Sequence, residues 1–525
     1  MSDTSGYRLT YSTMFDPPPE MHERFEAALA EIRGTLGGRH AMSIGGREAL
    51  AERSFELRSP IDREILVGSF QAGDASHAHL AIQAAGKAFA SWSRTPWRER
   101  LAILRRAAAL IEDRVWTLSA GLSIEVGKNR MESLGEVQET ADLIHWYCDR
   151  MEESEGFDRT LPLDPLPGFV SRNRTRLRPY GVWAVIAPFN FPFALSGGPV
   201  GAALAAGNTV VFKTASATAW SGTMLMQAFA DAGLPAGVLN HVTGSGGTVG
   251  DALVKHPDIA GITFTGSREV GSAIAREFAG GRWIRPCIAE MGGKNAVIVS
   301  RHADLERAAS GIVRSAFGLQ GQKCSAASRV YVQREAAAEL RERIVALTEA
   351  IDVGDPTVRE NWMGPLIDQA ARQRYQRAAE AMKQSGKLYA GGRLLSEGAL
   401  ERGWFVAPTL ASVPRGHELW QQELFAPIVL VDEIESVDEG IALANATDYG
   451  LTAGFYGAVD EIDGFLDRIE AGVVYVNRPQ GATTGAWPGY QPFGGWKASG
   501  STGKAIGSYW YLPLYMREQS QTVVD

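Results

Sequence analysis

From residue 181 onward the sequence alternates between short β-rich runs and helical ones, and this rhythm constrains the fold more than any other feature. The runs "GVWAVIAP", "TVVFKT", "GVLNHVTG" and "GITFTG" are separated by "GGPVGAALAAG", "TAWSGTMLMQAFADAG" and "GTVGDALVKH". Strands that alternate with helices predict a parallel sheet with crossover helices. A second alternation begins with "NAVIVS" near residue 295 and runs to about residue 476, predicting a second α/β domain. A chain of 525 residues is too long for one core, so two or three domains are expected. The first 180 residues read as mostly helical: Thr95-Pro96 starts a helix in which Leu101, Leu104, Ala108 and Ile111 form one apolar stripe. The tail "YWYLPLYMREQSQTVVD" partly alternates like a strand. It has no obvious partner in its own chain, so pairing with another subunit is the expectation.

The formal charge of -8 and the absence of any lysine or arginine run give no general attraction to nucleic acid or anionic lipid, which leaves small molecules as the expected partners. The N-terminus has acidic residues and prolines but no apolar export core. The most apolar region, residues 182 to 212, is broken by Asn190, Asn208, prolines and glycines and makes a poor membrane span. A soluble, cytoplasmic protein is expected.

Cys148, Cys287 and Cys324 are odd in number and far apart, which reads as three free thiols in a reducing compartment. Cys148 follows "LIHWY" in a helical pattern and Cys287 lies in an apolar strand, contexts that suit burial. Cys324 instead sits in "FGLQGQKCSAAS", among glycine, glutamine and small residues that look built for access to sulfur. The nine histidines form no compact ligand set, so no metal is expected.

Two stretches invite a dinucleotide. "GSGGTVG" at residues 244 to 250 has Val249 where a third glycine would stand, so a plain strand-to-helix turn and a phosphate loop both remain open. In "FTGSREVG", Gly266 and Ser267 follow a strand directly and open a helix whose N-terminal amides can receive a phosphate. Lys213 ends "TVVFK", either snorkelling to solvent or meeting a ribose hydroxyl at the carboxyl end of the sheet; its position supports the second.

The strings "PFNFP", "FTGSREVG", "EMGGKN", "GQKCSAASR", "QQELFAPIV" and "QPFGGWKASG", in this order and across nearly the whole chain, together resemble the aldehyde dehydrogenase superfamily. The resemblance implies two doubly wound parallel-sheet domains plus a small β oligomerisation element. Residues 1-155 and 181-290 would form the cofactor domain and 291-476 the catalytic domain. Residues 156-180 and 498-525 would form the oligomerisation element of at least a dimer, and 477-497 a substrate-anchor loop. "FGLQGQKCSAASRVYV", the "TGA" loop and "GSTGKAIG" resemble the 1-pyrroline-5-carboxylate dehydrogenase branch, which implies oxidation of L-glutamate γ-semialdehyde to L-glutamate in proline catabolism.

Residue roles follow from that resemblance together with the chemistry. Oxidising an aldehyde needs a tetrahedral adduct from which hydride can leave, and a thiolate forms one readily, which makes Cys324 the candidate nucleophile of a thiohemiacetal and then a thioester. Asn190 and the Cys324 N–H would stabilise the oxyanion, and Glu290 would activate the hydrolytic water. Asn190 also reads as an ordinary turn residue and Glu290 as a surface carboxylate. Lys213 and Ser216 would meet the adenosine ribose, Gly266 and Ser267 the pyrophosphate, and Glu423 with Phe425 the nicotinamide ribose. NAD is the expected cofactor. Ser216 stands where many NAD-preferring relatives carry glutamate, so NADP use stays open.

Ser325, Gly485 and Ala486 would hold the substrate's α-carboxylate, with Phe493 on its aliphatic chain; small residues beside a cysteine are equally consistent with packing. "PQGATT" is longer than the branch's pattern, and Trp487-Pro488 replaces an aliphatic pair. Two rival readings follow: a dehydrogenase for another aliphatic or aromatic aldehyde, with Trp487 closing its pocket, and a catalytically silent binding protein that kept the fold. A CoA-acylating enzyme would have no need of Glu290.

Overall fold

The computed structural model describes residues 9, 17–165, 167–481 and 487–524. One seven-stranded sheet runs in the order Cys287–Glu290, Ile259–Thr265, Val182–Ile186, Thr209–Lys213, Leu239–Val242, Met42–Ile44, Arg47–Ala49. Its first five strands are parallel and the last two antiparallel. The parallel strands read as continuous apolar runs because helices cover both faces. Side-chain alternation sorts them: Trp183, Val185, Val210 and Phe212 join the core layer of helix Ala194–Ala206, whereas Val182, Ala184 and Val211 pack with Ala78, Ala81, Ile82 and Ala85 of helix Ala75–Trp92.

The second sheet orders Lys387–Ala390, Thr409–Ser412, Ile428–Ile434, Ala327–Gln333, Asn295–Val299, Thr452–Tyr456, Val473–Val476, all parallel except its antiparallel first strand. The segment "EMGGKN" is the crossing from the edge strand of one sheet to the centre of the other, which places Glu290 and the loop of Cys324 side by side. This is the α/β architecture expected from the alternation.

Two features differ from the expectation. The tail strand Met516–Val524 has a partner in its own chain, pairing antiparallel with Ser171–Pro179 along all nine residues, and Asp158–Leu161 completes this small sheet. The partner strand, "SRNRTRLRP", is so arginine-rich that no hydrophobic period marks it. The first 180 residues also hold Gly38–His40, Ser54–Arg58 and Leu66–Gln71, a three-stranded sheet missed because its strands are short and half-exposed. The helix starting after Pro96 is as read, with Leu101, Leu104, Ala108 and Ile111 at most 1% exposed.

Candidate active site

Cys324 lies in the turn between the Gly318–Gly321 helical turn and strand Ala327–Gln333. Leu319 and Gln320 adopt left-handed φ of 47° and 57°, strain that the surrounding bonds must hold. The holding is done by two side chains that sequence reading missed. Asn295 Nδ2 donates to the carbonyls of Cys324 at 2.6 Å and Ala326 at 2.9 Å, while its Oδ1 accepts the Thr452 N–H at 3.0 Å. Thr452 Oγ1 donates to the Ser325 carbonyl at 3.2 Å. Three successive carbonyls are thus tied on one side, and the N–H groups of Cys324 and Ser325 are directed at the sulfur. The only sequence signal for this clamp was the asparagine inside "EMGGKN".

Cys148 is buried, but Cys287, like Cys324, is only partly buried, which corrects the contrast drawn between them. Cys287 opens an edge strand and so is covered on fewer sides. Nor is Cys324 as open as its neighbours in sequence imply: burial pushes its thiol up to about 12, and the carboxylates of Glu423 and Glu290 add to the rise. At neutral pH it is a thiol that must lose its proton to act.

Asn190 is 3% exposed and donates one amide proton to the Gln322 carbonyl at 2.9 Å, fastening it to the Cys324 loop rather than to an independent turn. Its own loop is held by a fully buried pair, Lys128 and Glu136. Glu136 Oε1 accepts from Phe193 N at 2.7 Å and Ala194 N at 3.3 Å, and Lys128 Nζ stands 3.7 Å over the Phe191 ring. Neither partner of this pair was legible in the sequence.

Glu290 ends its strand at 5% exposure, so the surface reading is excluded. Its Oε2 accepts from Gly495 N at 3.2 Å, and burial pushes its carboxyl well above the usual range. Ser325 is buried next to the nucleophile. Phe493 is buried and pairs through its backbone with Ile506. Gly485 and Ala486 lie outside the described residues. Trp487 is 4% exposed and stacks on Tyr490, ring centroids 6.2 Å apart.

Of the remaining candidates, Ser267 and Glu423 line a cleft of about 950 Å³ together with Arg268, Arg276 and Arg374. Ser267 caps helix Arg268–Ala279, its hydroxyl accepting from Val270 N at 3.3 Å, and Gly266 is needed because a Cβ there would strike the Phe264 ring. Glu423 Oε1 accepts from Gly293 N at 3.0 Å; burial pushes its carboxyl up to about 7, against the pull of Gly293, Lys294 and Arg374. Phe425, at φ 52°, meets Phe189 edge-on at 5.8 Å.

Lys213 does not snorkel: it is 5% exposed, donates to Thr214 O at 3.1 Å, and burial brings its ammonium down to about 8. Ser216 donates to Gly244 O at 3.2 Å, beside Gly246 and Gly247, where an added Cβ would meet nothing within 4 Å. Lys213 and Ser216 stand apart from the Ser267–Glu423 cleft. A helix N-terminus with arginines, an open glycine turn, a buried amine and a carboxylate are the donors and acceptors that an extended dinucleotide requires, so these residues fit that cofactor. Among the described residues no three His, Cys, Asp or Glu side chains are grouped to hold a metal ion, and no helix is long and apolar enough to cross a membrane.

This fold and this constellation define a class of enzyme, and the chain belongs to the aldehyde dehydrogenase family, whose model matches residues 47–520. It is 39% identical over 513 residues to the 1-pyrroline-5-carboxylate dehydrogenase of Geobacillus thermodenitrificans (strain NG80-2), covering 96% of each chain. Among solved structures, 1-pyrroline-5-carboxylate dehydrogenase from Thermus with bound NAD superposes with a TM-score of 0.92 at 34% identity, over 99% of this chain and 100% of that one. Proline utilization A from Bdellovibrio bacteriovorus matches with a TM-score of 0.90 at 35% identity, over 95% of this chain and 51% of that longer one.

Proposed function

We propose that this chain oxidises L-glutamate γ-semialdehyde to L-glutamate with NAD, through a thioester on Cys324. The observation that carries the reading is the convergence of a clamped Cys324 loop, an Asn190 amide fastened to that loop, and a buried Glu290. In a first step the Cys324 thiolate adds to the aldehyde carbon, making a C–S bond, while the carbonyl oxygen takes the negative charge between the second Asn190 amide proton and the Cys324 N–H. A bound nicotinamide supplies the acceptor for the hydride that leaves this carbon. The oxyanion collapses to the thioester. Glu290 then takes a proton from water as the water oxygen attacks, the C–S bond breaks, and the thiolate returns.

Lys213, Ser216, Gly266 and Ser267 bind the adenosine end in this reading, and Glu423 with Phe425 positions the nicotinamide ribose. Ser325, with Gly485 and Ala486, anchors the substrate carboxylate, and Phe493 packs its chain. The first sheet serves the cofactor and the second carries the nucleophile. The small sheet of residues 158–161, 171–179 and 516–524 has open edges, which supports a role in subunit contact.

A second reading rests on Trp487, a buried indole in the anchor segment, which favours a bulkier uncharged aldehyde. The test is NADH formation with L-glutamate γ-semialdehyde beside succinate semialdehyde, hexanal and benzaldehyde, with NAD and then NADP. A kcat/KM at least a hundredfold higher for the glutamate compound is expected; preference for an uncharged aldehyde would overturn the substrate in favour of the second reading.

A further inference from the structure

Helix Arg130–Glu153 carries a second ion pair, one turn away from the Lys128–Glu136 pair, that the mechanism above does not use. Glu132 Oε1 accepts from Lys323 Nζ at 2.6 Å, and Glu132 Oε2 accepts the Leu319 N–H at 3.1 Å. Lys323 immediately precedes the nucleophile, and Leu319 opens the left-handed step of its loop. The Glu132 and Lys323 side chains are 12% and 6% exposed, so water screens the pair little. Gly318 gives them room: a Cβ there would stand 2.8 Å from Lys323 Nζ and 3.0 Å from Glu132 Oε1. Asn295 and Thr452 tie the loop from Cys324 onward, whereas Glu132 ties it upstream, where the strain lies.

The two carboxylates of this helix grip in the same manner. Each takes one lysine ammonium and the backbone of one loop: Glu132 the loop of Cys324, and Glu136 the loop of Asn190 through Phe193 N and Ala194 N. Four residues apart, they share one helix face. Lys128 is also within reach of the Glu132 and Lys323 charges, so the order along this face is Lys323, Glu132, Lys128, Glu136, alternating in sign. The two gripped loops meet where Asn190 Nδ2 donates to the Gln322 carbonyl at 2.9 Å. A single hydrogen bond at that seam leaves the loops free to pivot about it. Two grips on one rigid helix remove that freedom.

We infer that Glu132, with Lys323, is a positioning residue for oxyanion stabilisation: the helix turn from Glu132 to Glu136 is a spacer that sets the Asn190 amide against the Cys324 N–H. This rests on the reading of those two groups as the oxyanion donors. Donors act on a developing oxyanion only from the right place, and a displacement of about 1 Å can cost about a hundredfold in rate. Every substrate that acylates Cys324 passes through this oxyanion, so the contribution of Glu132 is independent of which aldehyde or ester is offered.

The experiment follows acylation of Cys324 in two ways: the burst of NADH with L-glutamate γ-semialdehyde, and the burst of p-nitrophenolate from p-nitrophenyl acetate, a neutral ester that acylates a thiol without a cofactor. Glu132→Gln is expected to slow both bursts about tenfold, with the Kd for NAD within twofold of the parent. A double-mutant cycle then decides between positioning and plain support. Asn190→Ala alone slows both bursts about a hundredfold. Adding Glu132→Gln to it costs less than a further twofold, because the group being positioned is gone. Lys323→Met is expected to repeat this pattern, and tests the idea should Glu132→Gln not fold. A further tenfold loss in the Glu132→Gln, Asn190→Ala double variant overturns the inference, since a merely structural contribution adds in full. A loss confined to the glutamate compound overturns it too, making the pair a substrate contact. Undiminished bursts in Glu132→Gln remove this inference alone; undiminished bursts in Asn190→Ala remove the oxyanion reading and this inference with it.

Discussion

Glu423 rests on the backbone of Gly293, accepting its N–H at 3.0 Å, and the space this requires exists only because Gly292 has no side chain: a Cβ there would overlap the Glu423 carboxylate. Gly292→Ala is therefore expected to dislodge Glu423 and weaken NAD binding about tenfold, or about 1.4 kcal/mol. Titration of NAD against intrinsic tryptophan fluorescence measures this; an unchanged Kd would separate Glu423 from the cofactor.

The thiol of Cys324 predicts its own reactivity. Held up to about 12 by burial and by Glu423 and Glu290, it should alkylate slowly in the cofactor-free protein, with a rate that climbs about tenfold per pH unit toward that value. Glu290→Gln removes one of those charges and should speed iodoacetamide labelling several-fold at pH 8. A rate that levels off below pH 9 would contradict this environment. Cys324→Ala should abolish dehydrogenation while NAD still binds.

Asn295 makes three buried bonds to the Cys324 loop and its neighbour strand, so Asn295→Ala orphans the Thr452 N–H and two carbonyls. The expected cost is about 2–4 kcal/mol in urea unfolding, with a fall in kcat larger than any change in KM. Full activity at unchanged stability would show that the loop holds itself.

Lys128 and Glu136 form an ion pair at zero exposure. Lys128→Met strands a buried carboxylate and should destabilise by about 3–5 kcal/mol, whereas Lys128→Met with Glu136→Gln should recover a large part of it, since the amide oxygen still accepts from Phe193 N. Equal losses in single and double variants would mean that packing over Phe191, rather than charge, is what matters.

His241 is 1% exposed, stacked on Phe212 at 5.1 Å, and burial, with Lys213 nearby, holds its imidazole down to about 3. Because the folded value lies below the ordinary 6.5, the folded state binds fewer protons. Stability from the neutral ring is complete above pH 6.5 and is lost at roughly 1.4 kcal/mol per pH unit as pH falls toward 3. His241→Asn should flatten that part of an acid unfolding curve; an unaltered slope would place the acid lability elsewhere.

The α/β class was legible because both sheets are built from strands buried on two faces, which leave unbroken apolar runs such as "TVVFK" and "NAVIV". Motif spacing drew attention to Cys324, Glu290 and Asn190. Residues that hold Cys324 and Asn190 were not legible, for a physical reason: Asn295, Thr452 and Glu136 act through backbone groups distant in sequence, which carry no side-chain signature, and Lys128 acts through Glu136. The pairing of the tail strand with Ser171–Pro179 was hidden in the same way, since a polar ladder joins it to an arginine-rich strand.

That pairing also makes the tail a guy-rope. Tyr511 and Tyr515 stand just before the zipped strand, and the Tyr515 carbonyl is tied at 2.9 Å to Asn208, in the turn that leads into strand Thr209–Lys213 of the first sheet. Two phenols that sense the Glu290 charge are thus continuous with a ladder that touches none of the reacting atoms. Fraying at the rim of the molecule would slacken them while both large sheets were still intact, so heat should silence this protein before it melts it.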